Sequence, residues 1–248
     1  MNRTYFNSFV LPFSDNLYHY IKGLLGNGEA ALDVLKESIF YWWEHRKELK
    51  EENFKVIVLQ KVRSLALHQT KNKKFEKRPF HNLEWEEGDW ESIQIPRCDD
   101  VNELLNYLPE LHAEVICLRG AGRLQDDEIC QVTGLGFNNV HSILAKARKS
   151  IWKGLGGSLG TRSEASDLLK KYYTGTTTLD EEEQLRLYFN KVEHRDAHPA
   201  DYKLFNYFMD LSMLEMPLEY KKLLEEHVYE LQNNTWLRRL VLKLKGKE

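Results

Sequence analysis

The sequence lacks the long apolar runs that mark membrane-spanning and secreted proteins. No run of roughly eighteen apolar residues occurs, and the opening MNRTYFNSFVLPFSDN does not place a basic segment before an apolar one, as a signal peptide does. Also missing are a nucleophile elbow, a phosphate-binding loop and a metal-binding triad. We therefore expect a soluble, cytoplasmic protein that is not inserted in a membrane, is not an enzyme and needs no cofactor.

Cysteine is scarce as well. The three cysteines, Cys98, Cys117 and Cys130, are odd in number and lack the spacing of a disulfide framework or a metal site. Such usage is typical of a reducing compartment. His194 and His198 are four residues apart and could hold zinc on one helix face. An adjacent proline and the lack of a nearby cysteine favour a solvated loop, so we predict no metal site.

The chain has no large excess of basic or acidic residues, since its formal net charge is −3. The charges are nevertheless segregated along the chain. Residues 61–78 contain seven basic side chains and one acid, whereas residues 84–103 contain eight acids and one arginine. Because local patches decide electrostatic binding, the small net charge does not exclude an anionic partner such as nucleic acid.

A helix-turn-helix pattern stands near the middle of the chain. Aligning Asp126 with the first position of the helix-turn-helix template fills its core positions with Ile129, Thr133, Leu135, Val140 and Ile143. The small Cys130 and Gly134 then fall at the helix crossing and at the turn. Basic residues follow on the second helix, at Lys146, Arg148, Lys149 and Lys153. The pattern predicts a helix pair that approaches an anion, the alternative being an ordinary hairpin with a solvated basic face.

The run LPELHAEVICLRGAGRLQDDEICQVTGLGFNNVHSILAKARKSI resembles region four of sigma factors of the sigma-70 family, in the extracytoplasmic-function branch. The resemblance implies that this region reads the minus-thirty-five promoter element. The residues that would contact bases are Asn138, Asn139, His141 and Ser142, and those that would contact phosphates are Lys146, Arg148 and Lys149.

The first segment reads as an amphipathic helical bundle. Leu32, Leu35, Ile39 and Trp42 recur at three- and four-residue spacing and predict one buried stripe. Residues 54–67 are apolar on nearly every face and contain Val56-Ile57-Val58-Leu59, which could form a strand by propensity. Their length favours a buried helix.

This segment is similar to region two of the same sigma family. The resemblance implies a polymerase-binding surface at Asp33, Lys36 and Glu37, with Lys36 where the family usually has glutamine. It also implies a helix that captures the melted minus-ten strand. The residues assigned to that helix are Lys61, Arg63, Ser64, His68, Lys71, Lys73 and Lys74.

The end of the chain forms a further helical region that standard two-region sigma factors lack. Thr178 and Glu181 make a capping box ahead of an apolar helix. LLKKYYTGTTTLDEEEQLRLYF resembles the cytoplasmic start of anti-sigma-like proteins. This region could dock on one of the basic helices and restrain it, or it could be an independent helical domain. The basic, amphipathic ending could also lie on an anionic membrane surface, but we expect it to pack on this region.

The predicted fold is all-α, with two small helical domains, one like region two and one like the helix-turn-helix of region four, and a C-terminal helical domain. The predicted boundaries are 1–75, an acidic linker at 76–100, 101–153, a glycine-rich linker at 154–163, and 164–248. The predicted function is a sigma factor that binds core RNA polymerase and promoter DNA, with an anti-sigma or other regulator as a possible further partner. The alternatives are an anti-sigma-like regulatory protein and a helix-turn-helix repressor.

Overall fold

The computed structural model describes residues 3–25, 27–47, 54–72, 96–120, 122–157 and 166–233. Over these ranges the chain forms α-helices and no β-strand, which confirms the all-α prediction. The helices are α1 (Arg3–Leu25), α2 (Gly28–Glu44), α3 (Phe54–Asn72), α4 (Val101–Leu105), α5 (Glu110–Gly120), α6 (Asp126–Thr133), α7 (Phe137–Gly154), α8 (Ser166–Tyr173), α9 (Leu179–Phe189), α10 (Val192–Ala197), α11 (Pro199–Met213) and α12 (Leu218–Asn233). Among the described residues no helix is long and apolar enough to cross a lipid bilayer.

Contacts divide the chain into two compact units. The first unit comprises residues 1–73 and 214–248, and the second comprises residues 74–213. This grouping differs from the predicted one, in which residues 164–248 form a domain of their own. The difference arises because α12 packs in the first unit although it is distant in sequence, whereas α8 to α11 pack in the second.

The first unit is built around α2. The side-chain oxygen of Asn27 accepts a hydrogen bond from the Ala30 amide and caps the helix start. The predicted stripe is confirmed, because Leu35, Ile39 and Trp42 are fully buried. α1, α3 and α12 all contact this helix. Residues 54–67 lie within α3, so this stretch is a helix, as its length indicated.

α12 covers part of the outer side of α2. Leu224, Val228 and Leu231 are its buried residues, and the ring of His227 lies beside the backbone of Lys36. Burial lowers the pKa of His227. The C-terminal helix therefore occupies a surface that the sequence left open to solvent.

The second unit is organised on α5 and α7. α6 and α7 are joined by a three-residue turn, and Gly134 has a φ of +79°, the left-handed conformation that a side chain would disfavour. Val140, Leu144 and Ile151 place the apolar face of α7 in the core. α8 and α11 both contact α7, and α11 also contacts α5. This packing brings residues from opposite ends of the unit into one buried site.

Candidate functional site

The centre of the site is the carboxylate of Glu182 in α9, which is 9 % exposed. Its Oε1 accepts hydrogen bonds from Arg119 Nε at 2.9 Å, from Arg148 at 2.7 Å and from the Thr177 hydroxyl at 2.9 Å. Both arginines are only 1 % exposed. One acceptor thus binds two guanidinium groups away from water, where charge-assisted hydrogen bonds are strongest.

The remaining donors of the two arginines are directed at fixed acceptors. Arg119 donates to the Leu124 carbonyl and to Asp126, each at 3.1 Å, and to the Thr177 carbonyl. Arg148 donates to the Tyr172 carbonyl at 2.8 Å and to the Thr177 hydroxyl at 3.2 Å.

One donor of Arg148 stays unsatisfied. The Arg148 guanidinium lies 3.9 Å from the centroid of the Tyr172 ring, which covers it. Its Nε is buried and has no hydrogen-bond partner among the described residues. The guanidinium is therefore fixed in position, although its Nε donor makes no hydrogen bond among the described residues.

The start of α9 positions Glu182. Thr178 caps the helix, and Glu181 returns its side chain to the Thr178 amide, so the backbone of the first turn is fixed. Glu182 follows one residue later and points inward. Its burial opposes ionisation, yet the charges of Arg148 and Arg119 outweigh that effect and hold the pKa of Glu182 below its usual range. The carboxylate is therefore ionised at neutral pH.

A second buried contact lies at the C-terminal end of α7. Asp201 accepts a hydrogen bond from the Tyr173 hydroxyl at 2.6 Å and another from Trp152 Nε1 at 3.3 Å. The Trp152 and Tyr173 rings pack with their centroids 5.6 Å apart. All three side chains are buried. This contact fixes α8 and α11 against α7.

The turn between α8 and α9 approaches α7 closely. Gly175 has a φ of +76°, and a Cβ at this position would collide with the carbonyl oxygen of His141. A similar approach occurs at Gly120, where a Cβ would collide with the Phe208 ring. Both glycines allow closer packing than any other residue would permit.

The predicted DNA-contacting residues of α7 differ in their exposure to solvent. Arg148 is buried and paired with Glu182, so its assignment to phosphate is corrected by the structure. The exposed residues are Asn138, Asn139, Ser142 and Lys149, and the half-buried ones are His141 and Lys146. His141 Nε2 lies 2.9 Å from an Asp126 carboxylate oxygen, which occupies one side of its ring.

The residues predicted to capture a DNA strand lie in or just beyond α3. Lys61 is half-buried, with its Nζ 4.1 Å from the centroid of the Tyr41 ring. Arg63 is half-buried, and Ser64 and His68 are exposed. Lys71 belongs to α3, but its side chain lies outside the described residues, as do Lys73 and Lys74 entirely.

On the predicted polymerase surface Asp33 is exposed, whereas Lys36 and Glu37 are half-buried. The ring of His227 in α12 lies beside the backbone of Lys36.

The helices that carry the acceptors of the site, α8 to α11, belong to a segment that matches a known family. Residues 166–216 match the family of the anti-sigma factor N-terminal domain. No curated protein and no solved structure matches the chain significantly. The matched residues, named here the anti-sigma segment, include α8 to α11 and contain the stretch that resembled anti-sigma-like proteins in sequence.

This match overturns the identification as a sigma factor of the extracytoplasmic-function branch. An anti-sigma factor domain points to a regulator of sigma factors and not to a protein that itself reads promoters or initiates transcription. The predicted core polymerase and promoter DNA contacts have no support from it, and a sigma factor becomes the indicated partner. Of the functions considered from the sequence, the anti-sigma-like regulatory protein is the one that the match supports.

Sequence reasoning missed the buried acceptors of the site. Glu182, Thr177 and Asp201 were not singled out, although the capping box at Thr178 fixes which face of α9 turns inward. The capping pattern gave the start of the helix, but it did not reveal that Arg119 and Arg148 lie opposite it.

Acid should destabilise the second unit through His112, which lies in α5. Burial, with a smaller effect from the charge of Lys146, lowers the pKa of His112 from 6.5 to about 3. Between these values the unfolded chain binds a proton that the folded unit does not. The free energy of unfolding should therefore fall as the pH falls, by about 1.4 kcal/mol per pH unit from this residue.

We expect His112→Leu to reduce the dependence of the free energy of unfolding on pH by about 1.4 kcal/mol per pH unit, the contribution of one proton. Urea denaturation at a series of pH values would measure this change. His68→Gln changes an exposed histidine of the first unit and serves as the control. Equal slopes for the wild type and His112→Leu would contradict the assignment.

Proposed function

We propose that this chain regulates a sigma factor by binding it through the anti-sigma segment. The match of residues 166–216 carries the proposal. The packing supports it, because this segment holds an ionised carboxylate, Glu182, and the carbonyls of Tyr172 and Thr177 at fixed positions where they bind two arginines of the same chain. Such an arrangement is suited to guanidinium groups on the surface of a helical partner.

The chemistry of the segment is that of a binding module. Its buried acceptors are held by a capped helix and by short turns, so little conformational entropy is lost when they bind a donor. Desolvated ion pairs confer specificity, because a partner lacking arginines could not replace the pairing that Arg119 and Arg148 give Glu182. The regulator would thus select one sigma factor among several by its pattern of arginines.

The test uses the full chain and each sigma factor encoded by its source organism, all purified separately. We expect one sigma factor to bind, as measured by calorimetry, and transcription from its promoter by reconstituted polymerase to fall as the chain is added. The other sigma factors serve as controls for selectivity. The proposal is wrong if none binds, or if the chain with core polymerase alone starts transcription.

A further inference from the structure

We propose that α5 and α7 of the same chain compete with the sigma factor for the anti-sigma segment. The contested surface is the arginine acceptor, defined as the Glu182 carboxylate with the carbonyls of Tyr172 and Thr177. In the structure this acceptor is occupied by Arg119 and Arg148. This inference rests on the proposed function. It adds which surface the sigma factor would bind and that the same chain controls access to that surface.

Donors and acceptors lie on opposite sides of the contact that the segment makes with α5 and α7, whereas outside these helices Lys203 of the segment donates to Asp99 at 2.7 Å. Across this contact the anti-sigma segment supplies the acceptors, which are Glu182, Asp201 and the two carbonyls. α5 and α7 supply the donors, which are Arg119, Arg148 and Trp152. Charge complementarity of this kind defines what else can bind: a helical protein that presents two arginines side by side.

The internal occupant fits the acceptor incompletely. Arg148 Nε is buried without a hydrogen-bond partner among the described residues. Leaving a buried donor unsatisfied costs free energy, and separation would return both guanidinium groups to water. A partner whose arginines are fully satisfied could therefore displace α5 and α7.

The two sides of the contact are covalently connected within one chain. α7 ends at Gly154 and α8 begins at Ser166, and the sequence between them contains Gly156, Gly157 and Gly160. Because the competitor belongs to the same chain, its effective concentration does not depend on the concentration of the protein. Only the open fraction of the chain binds a partner, so the internal contact lowers the apparent affinity by that fraction.

Hydrogen exchange on the full chain tests the opening without any partner. α8 and α9 are too short to persist once undocked, since isolated helices of their length are unstable in water. We expect their amides to exchange through a local opening during which the α7 amides stay protected. If α8, α9 and α7 exchange only in one common event, the contact is permanent and the competition is wrong.

Binding of the purified sigma factors to two opened variants tests the competition itself. Gly175→Ala adds a Cβ that collides with the His141 carbonyl and pushes the segment from α7. Gly134→Ala is its matched control, because Gly134 has a similar positive φ of +79° and no atom near its added Cβ. We expect Gly175→Ala to bind the sigma factor about tenfold more tightly than the wild type, and Gly134→Ala to bind as the wild type does.

Arg148→Met is the second opened variant, and it leaves every acceptor of the segment in place. It keeps the test decisive if Gly175→Ala does not fold, as judged by its circular dichroism. Glu182→Gln, added to the opened variant, tests whether the partner uses the same acceptor. It should remove most of the increase in affinity for the sigma factor. Glu193→Gln, an exposed carboxylate in the same segment, should not.

The outcomes separate the two claims. If the opened variants and the wild type bind a sigma factor equally, the proposed function stands and the internal competition is wrong. Tighter binding that survives Glu182→Gln would place the partner on another surface, which also overturns the inference. If no form binds any sigma factor, the proposed function fails and the competition fails with it.

Discussion

Glu182→Leu should lower the free energy of unfolding of the second unit by roughly 3–5 kcal/mol, the usual cost of removing one partner from a buried ion pair. The physical reason is that Arg119 and Arg148, each 1 % exposed, would keep their buried charges. Arg119 would retain Asp126, but Arg148 would lose its only carboxylate partner in the described structure. Hydrogen exchange of peptides from α5 and α7 would measure the change in this unit alone.

The neighbouring Glu183 provides the control. Its carboxylate is 31 % exposed and pairs with Arg186 on the surface of the same helix. Glu183→Gln should change stability by less than about 1 kcal/mol, because exposed ion pairs are screened by water. Adding Arg148→Met to Glu182→Leu should recover part of the loss, since it removes the orphaned charge. Equal effects of the two glutamate substitutions would show that Glu182 is not the centre of a buried cluster.

Local patterns could be predicted from the sequence because short-range physics determines them. The stripe through Leu35, Ile39 and Trp42 needs only the helical period, and the turn at Gly134 needs only a residue that tolerates a positive φ. The capping box at Thr178 is likewise contained in four consecutive residues. Each prediction holds in the structure.

Pairing between residues that are distant in the sequence could not be predicted. Arg148 stands among lysines on a basic helix, and its neighbours favoured a solvent-exposed, anion-binding role. Its actual partner, Glu182, lies 34 residues away in a different helix. Similarly, nothing local indicates that α12 returns to the first unit and packs on α2. A charge pattern along one helix does not show which charges become buried.

The identification as a sigma factor failed for a related reason. The residues that carried it, such as Ile129, Gly134 and Val140, satisfy the packing and turn requirements of any helix-turn-helix pair. Packing positions specify how two helices meet, whereas function depends on the groups that remain accessible. In this chain the anti-sigma segment covers part of that helix pair, and the segment is where a family match was found.

Trp152→Ala should also lower the free energy of unfolding of the second unit strongly, by about 3–5 kcal/mol, because it removes a large side chain that is 5 % exposed. Trp152 belongs to α7, while its partners Tyr173 and Asp201 belong to the anti-sigma segment. The substitution therefore removes both a ring contact and a hydrogen bond that hold the segment in place. Hydrogen exchange should accelerate in α8 and α11 more than in α6.

Trp152→Phe separates the two contributions. It keeps an aromatic ring beside Tyr173 but removes the Nε1 donor, and Asp201 keeps its bond from the Tyr173 hydroxyl. We expect a loss of about 1–2 kcal/mol, the usual range for a buried hydrogen bond with some lost packing. Leu187→Ala truncates an apolar residue of α9 that is 55 % exposed and should cost about 0.5 kcal/mol or less. If Trp152→Ala cost no more than Leu187→Ala, α7 could not be the surface on which the anti-sigma segment packs.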